Sequence, residues 1–249
     1  MTTLNGKVAI VTGASKGIGA GIARLFAQSG ASVVVNYSTS KDAADALVAE
    51  IKGAGGKAVA IQADFSKTAD IKRLFEESKR AFGTLDILVN NAGVYAFGPL
   101  ETATEQEFHR EFNTNVLGVI TSTQEAARYF GPNGGSIINI SSIASVGFMP
   151  NSVIYAASKS AVDAITRVTA MELAPKNIRV NTLAPGGTIT EGIAALGWSE
   201  ETVKAIVATI PFGRPGQPQD IARVALFLAS DDSAWVTGER ITASGGQRA

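Results

Sequence analysis

Apolar positions run along this chain in two alternating patterns. Short β-branched runs recur as KVAIVT (7–12), SVVVNY (32–37), KAVAIQA (57–63), DILVN (86–90), GSIINIS (135–141), IRVNTLA (178–184) and ERITA (239–243). Each is too short for a helix and too apolar for a sheet with one wet face, which predicts parallel strands covered on both sides. Between them, helical spacing of apolar residues predicts helices over 17–29, 41–53, 68–82, about 102–130, 152–174 and 218–229. The last opens with Pro218 and then Asp220, residues suited to a first helical turn. Strict strand–helix alternation predicts an α/β fold, a doubly wound parallel sheet of about seven strands with right-handed crossovers and helices on both faces. No internal repeat or low-complexity linker interrupts it, so residues 1–249 read as one domain. The irregular exception is the Gly-, Pro- and Thr-rich stretch 185–217, which includes SEETVKAIVATI. A long insertion after a strand is a candidate substrate loop or lid, here within 186–217.

Composition narrows the chemistry. The chain has 22 basic and 22 acidic residues, and zero net charge argues against a nucleic-acid partner. With no cysteine there is no disulfide, thiol nucleophile or zinc ribbon. The single histidine, His109, leaves no multi-histidine metal site and reads as a surface or interface residue of its helix; no metal ligands are predicted, and a carboxylate Mg²⁺ site stays open. No apolar run is long enough for a membrane span, and the N-terminus lacks a signal-peptide pattern. A cytoplasmic protein with no membrane partner is the expectation.

Two constellations carry chemistry. The first strand runs into Thr12-Gly13-Ala14-Ser15-Lys16-Gly17-Ile18-Gly19, followed by a helix. Glycines there let backbone N–H groups approach a dinucleotide diphosphate, and the helix N-terminus adds positive partial charge. Further on, Tyr155 and Lys159 stand four residues apart on one helix face. An ammonium near a phenol favours phenolate, a route to acid–base chemistry without histidine.

The loop's TGxxxGIG spacing, Asn90-Asn91-Ala92-Gly93, Asn115, Ser142, Tyr155-Ala156-Ala157-Ser158-Lys159 and Pro185-Gly186 occur in order. Together they resemble the classical short-chain dehydrogenase/reductase family over essentially the whole chain. The resemblance implies a Rossmann-like fold and reversible hydride transfer between a nicotinamide dinucleotide and a carbonyl compound. It implies that Ser142 hydrogen-bonds the substrate oxygen, Tyr155 transfers the proton, and Lys159 lowers the tyrosine pKa and binds the nicotinamide ribose. Asn115, picked out over Asn113 by the family's NxxG pattern, is implied in a water-linked relay to Lys159. Asp64, followed by Phe65, matches the position that contacts adenine, or else serves as a turn residue. Backbone at Asn91, Ala92 and Gly93 is implied to pass the cofactor ribose, while Asn90 looks structural. In the Pro185-Gly186-Gly187-Thr188-Ile189-Thr190 segment, Ile189 or Thr188 is implied to meet the nicotinamide amide. A hydroxyl of Thr188 or Thr190 is implied near the diphosphate.

The second predicted strand ends Asn36-Tyr37-Ser38. An acidic residue there would hold a 2′-hydroxyl and repel a 2′-phosphate. A neutral end with donors, and Lys16 nearby, points to NADP(H), with NAD(H) the alternative if Lys16 is merely solvated. Substrate-lining candidates are Val94, Tyr95, Ser142, Ala144, Phe148, Met149, Gly187, Ile193, Leu196 and Trp198, mostly apolar or small. They favour a moderately apolar ketone, aldehyde or secondary alcohol, as in carbonyl or 3-oxoacyl reductases. The alternatives are a sugar dehydrogenase or a non-catalytic NADP-binding regulator. The family resemblance also implies a homotetramer built on the long helices.

Overall fold

In the computed structural model, residues 3–147, 149–194, 197 and 199–248 are described. Strands β1 (Val8–Val11), β2 (Ser32–Tyr37), β3 (Lys57–Gln62), β4 (Ile87–Asn90), β5 (Gly135–Ile140), β6 (Ile178–Pro185) and β7 (Arg240–Ala243) fall close to the predicted runs. They form one sheet in the order β3-β2-β1-β4-β5-β6-β7, and every pairing is parallel. Strand order reverses between β1 and β4. In open α/β sheets, ligands bind in the crevice at the strand carboxyl ends beside such a reversal.

Helices α1 (Gly17–Gln28), α2 (Lys41–Gly53), α3 (Thr68–Phe82), α4 (Glu105–Phe112), α5 (Gly118–Tyr129), α6 (Val153–Leu173), α7 (Glu191–Ala194), α8 (Glu200–Ala208) and α9 (Pro218–Ala229) complete the chain. Period-two alternation sends successive β1 side chains to opposite faces. Ala9 and Val11 join the layer containing Ile22, Phe26 and Leu228. Val8 and Ile10 join the layer of Leu74, Phe75 and Ile137. Both faces are dry, so the strands carry no polar alternation. Fully burying a residue such as Ile10 stabilises the fold by roughly 1.5–3 kcal/mol.

The helix predicted over about 102–130 differs in two respects. It begins at Glu105, after the Thr104 hydroxyl accepts from Glu107 N–H at 3.2 Å. It then widens into a π turn over Asn113–Leu117 before continuing as α5. Such turns often mark functional positions, and this one contains buried Asn115.

Polar side chains also stitch the sheet's interior. Ser122 donates to Asn90 (2.7 Å), Asn90 to Asn139 (2.8 Å), Asn139 to Thr166 (2.8 Å), and Thr182 also donates to Thr166 (2.8 Å). All five residues are buried, and each satisfies the next. Asn90 therefore bridges β4 to β5, as its place in the sequence suggested.

Candidate active site

The phosphate loop is anchored from below. Gly13 has φ +59°, and a Cβ there would lie 2.9 Å from Ala92 Cα, so only glycine fits. Thr12 Oγ1 accepts from both Asn91 N–H (2.9 Å) and Ala92 N–H (2.8 Å). Asn91 Nδ2 donates to the carbonyls of Thr12 (2.8 Å) and Gly13 (3.2 Å). The loop and the Asn91-Ala92-Gly93 segment thus form one rigid floor at the β1/β4 crevice. Ser15 and Ile18 are half-buried, and Lys16 is exposed at the start of α1. Gly17 N–H donates to a carboxylate oxygen of Glu191 at 2.9 Å. The loop already presents an N–H to an anion at a helix N-terminus, as a diphosphate requires.

Asn36 is a correction. The sequence offered it as a donor to a phosphate, but it is buried. Its Oδ1 accepts from Gly13 N–H (3.0 Å), and its Nδ2 donates to the carbonyls of Ile61 and Ala63, both at 3.2 Å. It holds the loop against β2 and β3 and offers nothing to the cleft. Tyr37 is half-buried and Ser38 exposed, so the accessible end of β2 is neutral. Asp64 makes a turn: its Oδ1 accepts from Ser66 N–H (3.0 Å) and Ser66 Oγ (2.7 Å). Burial works to raise its pKa, but Ser66 and Lys67 outweigh that and hold it below the usual range. The Phe65 side chain is packed in the core.

The catalytic candidates converge at the carboxyl ends of β4 and β5. Asn115 Oδ1 accepts from Val94 N–H (2.9 Å), while its Nδ2 donates to Val94 O (2.8 Å) and Ser158 Oγ (3.1 Å). A Cβ on Gly93 would sit 3.3 Å from Asn115 Oδ1 and 3.5 Å from Lys159 Nζ, so these two groups flank one small gap. Lys159 is buried, and its ammonium donates to Ile140 O at 2.9 Å. Ser142 Oγ accepts from Ala144 N–H at 3.1 Å. Its neighbour Ser141 donates to Lys159 O at 3.2 Å. Asn113 and His109 are exposed, and His109 lies 3.5 Å from Glu105.

The electrostatics here are set first by burial. Burial pushes the Tyr155 phenol up to about 12; a hydrogen bond with Ser142 pulls down, while Tyr95 and Glu111 add to the rise. Burial likewise pushes Lys159 down to about 8, opposed by Asp163 and Glu111. Lys159 Nζ lies 5.8 Å from the Tyr155 ring centroid and is turned toward Ile140 O. In this arrangement desolvation dominates both groups, and the hydrogen bond with Ser142 is what favours phenolate.

Around Tyr155 the structure places the predicted Tyr95 and adds Phe97, Glu111 and Arg110, which sequence reasoning missed. Tyr95 and Phe97 meet its ring edge-on, with centroids 5.9 and 5.7 Å away. Phe97 carried no motif signal beyond its closeness to Val94 and Tyr95. Glu111 is buried and accepts from Ala96 N–H at 2.7 Å, and Arg110 Nη2 donates to Tyr95 O at 3.1 Å. The only sequence hint for Glu111 is its place one helical turn before Asn115. Val94, Met149, Gly187 and Ile193 are half-buried, whereas Ala144 is buried away from solvent. Phe148, Leu196 and Trp198 lie outside the described residues.

Beyond Pro185, the two threonines separate. Gly186 N–H donates to Ala243 O at 3.0 Å. Thr188 Oγ1 donates to Gly186 O at 2.9 Å, and Ile189 N–H donates to Gly216 O at 2.9 Å. The Ile189 amide is therefore engaged within the protein. Thr190 instead packs on the phosphate loop, where a Cβ on Gly17 would lie 3.3 Å from its Cβ and Cγ2. Among the described residues there is no cluster of His, Asp or Glu able to hold a metal, and no helix is long and apolar enough to cross a membrane.

Comparison with known proteins identifies the family. A family model described as enoyl-(acyl carrier protein) reductase matches residues 13–248. An uncharacterized oxidoreductase of Methylorubrum extorquens is 54% identical over 249 residues, covering 100% of both chains. The solved structure of a 7α-hydroxysteroid dehydrogenase complexed with NADH and 7-oxo glycochenodeoxycholic acid superposes with TM-score 0.95 at 39% identity, covering 99% of this chain and 96% of that one. The angucycline C-6 ketoreductase LanV with bound NADP gives TM-score 0.93 at 39% identity, covering 98% and 96%. The chain belongs to the short-chain dehydrogenase/reductase family and is an NAD(P)-dependent oxidoreductase.

Proposed function

We propose that this protein interconverts an apolar ketone or aldehyde with its alcohol, using NADP(H) in preference to NAD(H) and Tyr155 as the proton donor and acceptor. The observation that carries this reading is the convergence of Ser142, Tyr155, Lys159 and Asn115 beside an aromatic wall of Tyr95 and Phe97. The dinucleotide, when bound, supplies the two-electron chemistry between carbonyl and alcohol. Gly13, Ser15, Lys16, Gly17, Ile18 and Gly19 would hold its diphosphate, with Thr190 alongside. Asp64 and the backbone of Phe65 would border the adenine. Asn91 to Gly93, Lys159, and Pro185 to Ile189 would border its nicotinamide half.

Tyr155, held protonated, donates to the carbonyl oxygen as charge develops there, and Ser142 gives that oxygen a second hydrogen bond. Lys159 keeps a positive charge near the phenol, which stabilises the phenolate left when the proton is given up in reduction and the base needed in oxidation. Asn115 fixes Val94 and, with it, the segment carrying Tyr95. The neutral exposed end of β2 and exposed Lys16 support NADP(H), because no carboxylate there opposes a 2′-phosphate. Tyr95, Phe97, Val94, Met149 and Ile193 supply an apolar wall, which suits the oxo-steroid and angucycline substrates named for the relatives.

The segment 186–217 acts as a lid in this reading: a Cβ on Gly192 would approach the Tyr95 hydroxyl to 2.7 Å, so its first helix sits over the pocket. A homotetramer is the assembly proposed. Leu117 and Ile120 near the start of α5, Val168 and Met171 on α6, and Phe212 with fully exposed Trp235 give apolar surfaces for two kinds of contact. Light scattering on the purified protein tests it, and a monomer at assay concentration refutes it.

The deciding experiment follows loss of NADPH and NADH separately against cyclohexanone, 2,3-butanedione, ethyl acetoacetate and an acetoacetyl thioester. Oxidation of glucose with NADP is run beside them. Turnover of a ketone with higher kcat/KM for NADPH supports the proposal. Equal or better kcat/KM with NADH refutes the cofactor preference. Activity on glucose alone makes it a sugar dehydrogenase, and nucleotide binding without any turnover makes it a regulator.

A further inference from the structure

The turn carrying Ser142 is gripped from behind by a charged cluster whose only part above is the pull of Asp163 on Lys159. Arg240 opens β7, and its side chain is 20% exposed. Its Nε donates to Asp163 Oδ2 (3.0 Å) and Ser145 Oγ (3.2 Å), and Nη1 donates to Thr242 Oγ1 (2.8 Å). Nη2 donates to the backbone carbonyl of Ser142 (3.0 Å) and again to Ser145 Oγ (3.1 Å). Asp163, 5% exposed, follows Lys159 by one turn of α6 and also accepts from Ser145 Oγ. Its Oδ1 has no hydrogen-bond partner among the described residues. Ser160 Oγ closes the arrangement by donating to Ser145 O at 2.6 Å.

A buried ion pair is weak evidence for stability, since desolvation offsets most of its attraction. Its geometry is another matter. A guanidinium is a rigid planar fork, and one that is fixed by a carboxylate on one edge presents its remaining N–H groups in a set direction. Here that direction is the Ser142 carbonyl. The fork therefore fixes the peptide that follows Ser142, and with it the turn whose Ala144 N–H holds Ser142 Oγ at 3.1 Å. We propose that Arg240, locked by Asp163, is the positioning residue for Ser142, setting where its hydroxyl meets the substrate oxygen. This rests on the reading of Ser142 as the partner of that oxygen.

The test compares wild type with R240M, R240K, the pair R240M/D163N, S142A, and R240M/D163N/S142A. Ethyl acetoacetate and NADPH are the probes, with melting temperature and a crystal structure of R240M/D163N as readouts independent of turnover. R240M strands a buried carboxylate and is expected to lose stability. R240M/D163N removes that charge, so its melting temperature recovers while kcat stays about 10- to 100-fold low and KM for NADPH stays within about twofold. R240K keeps the charge without the fork and retains stability with reduced kcat. In the S142A background the pair of substitutions lowers kcat no further, because no hydroxyl remains to be placed. The crystal structure is expected to show Ser142 Oγ moved by more than about 0.5 Å. Recovery of kcat together with melting temperature in R240M/D163N, or an unmoved Ser142, overturns the proposal. Full activity of S142A overturns instead the role given to Ser142, a distinct outcome.

Discussion

Replacing Glu111 with Gln tests whether one buried carboxyl makes this fold sensitive to pH. Glu111 Oε1 accepts from Ala96 N–H at 2.7 Å, and Oε2 has no hydrogen-bond partner among the described residues. Burial pushes its pKa from 4.5 up to about 7; the Ala96 amide and Arg110 pull it down, and Glu107 adds to the rise. The folded state therefore holds this proton more tightly than the unfolded chain does. Its contribution to stability is complete below about pH 4.5 and is lost as pH climbs through about 7. At ~1.36 kcal/mol for each tenfold change in proton affinity, the loss reaches about 3 kcal/mol by about pH 8. Gln keeps the acceptor for Ala96 and mimics the protonated acid, so E111Q lacks this loss. Guanidinium unfolding of both proteins is run at about pH 5 and about pH 8, where the other titrating groups cancel in the difference. The two are expected to be similar in acid, with E111Q more stable by about 2–3 kcal/mol in base. A difference that is the same at both pH values, or that favours E111Q only in acid, refutes the reasoning.

Tyr155→Phe removes the transferable proton and is expected to abolish ketone reduction while NADPH fluorescence titration shows unchanged binding; near-normal turnover contradicts the role of Tyr155. Gly93→Ala places a methyl 3.3 Å from Asn115 Oδ1 and 3.5 Å from Lys159 Nζ. It is expected to cut kcat about tenfold or more with a small change in melting temperature, and unchanged kcat refutes a functional gap there. Lys159 sits near 8 because burial disfavours its charge. Reductive kcat/KM is therefore expected to fall above about pH 8, and a profile flat to about pH 10 shows that its charge is dispensable.

How much of this was legible follows from how far each signal travels. Strand runs such as SVVVNY are read directly, because burial on both faces of a parallel strand leaves no polar alternation to confuse them. The glycine loop is equally local, since Gly13 answers to one backbone angle and one close neighbour. Asn36 shows the limit. Its letters announce a polar residue at a strand end, but whether its amide faces ligand or protein depends on carbonyls of β3 and the following turn, 25 and 27 residues away. The π turn at Asn113–Leu117 was invisible for a related reason: helical periodicity barely changes over one extra residue. Thr188 and Thr190 are interchangeable as letters and are separated only by the contact of Thr190 with Gly17. Glu111 and Arg240 gave no motif because their partners, Ala96 and the Ser142 turn, are brought to them by the fold.

Tyr155 shows how much of a side chain's state lies beyond a spacing argument. Four residues on a helix do bring Lys159 beside Tyr155, but proximity along the axis fixes neither the direction of the ammonium nor its hydration. The ammonium donates to Ile140 O, and desolvation acts on both groups at once, raising the phenol to about 12 and lowering the amine to about 8. Both movements disfavour the phenolate–ammonium pair. For carbonyl reduction that is the useful direction: the acid must carry its proton when the substrate arrives, and a phenol near 12 carries it throughout the physiological range. What reduction then requires is stabilisation of charge at the oxygen only as it develops, which is a matter of where the Ser142 hydroxyl points rather than of how acidic Tyr155 is beforehand. Under the proposed function, that places weight on the turn that aims Ser142, and hence on the fork of Arg240 behind it.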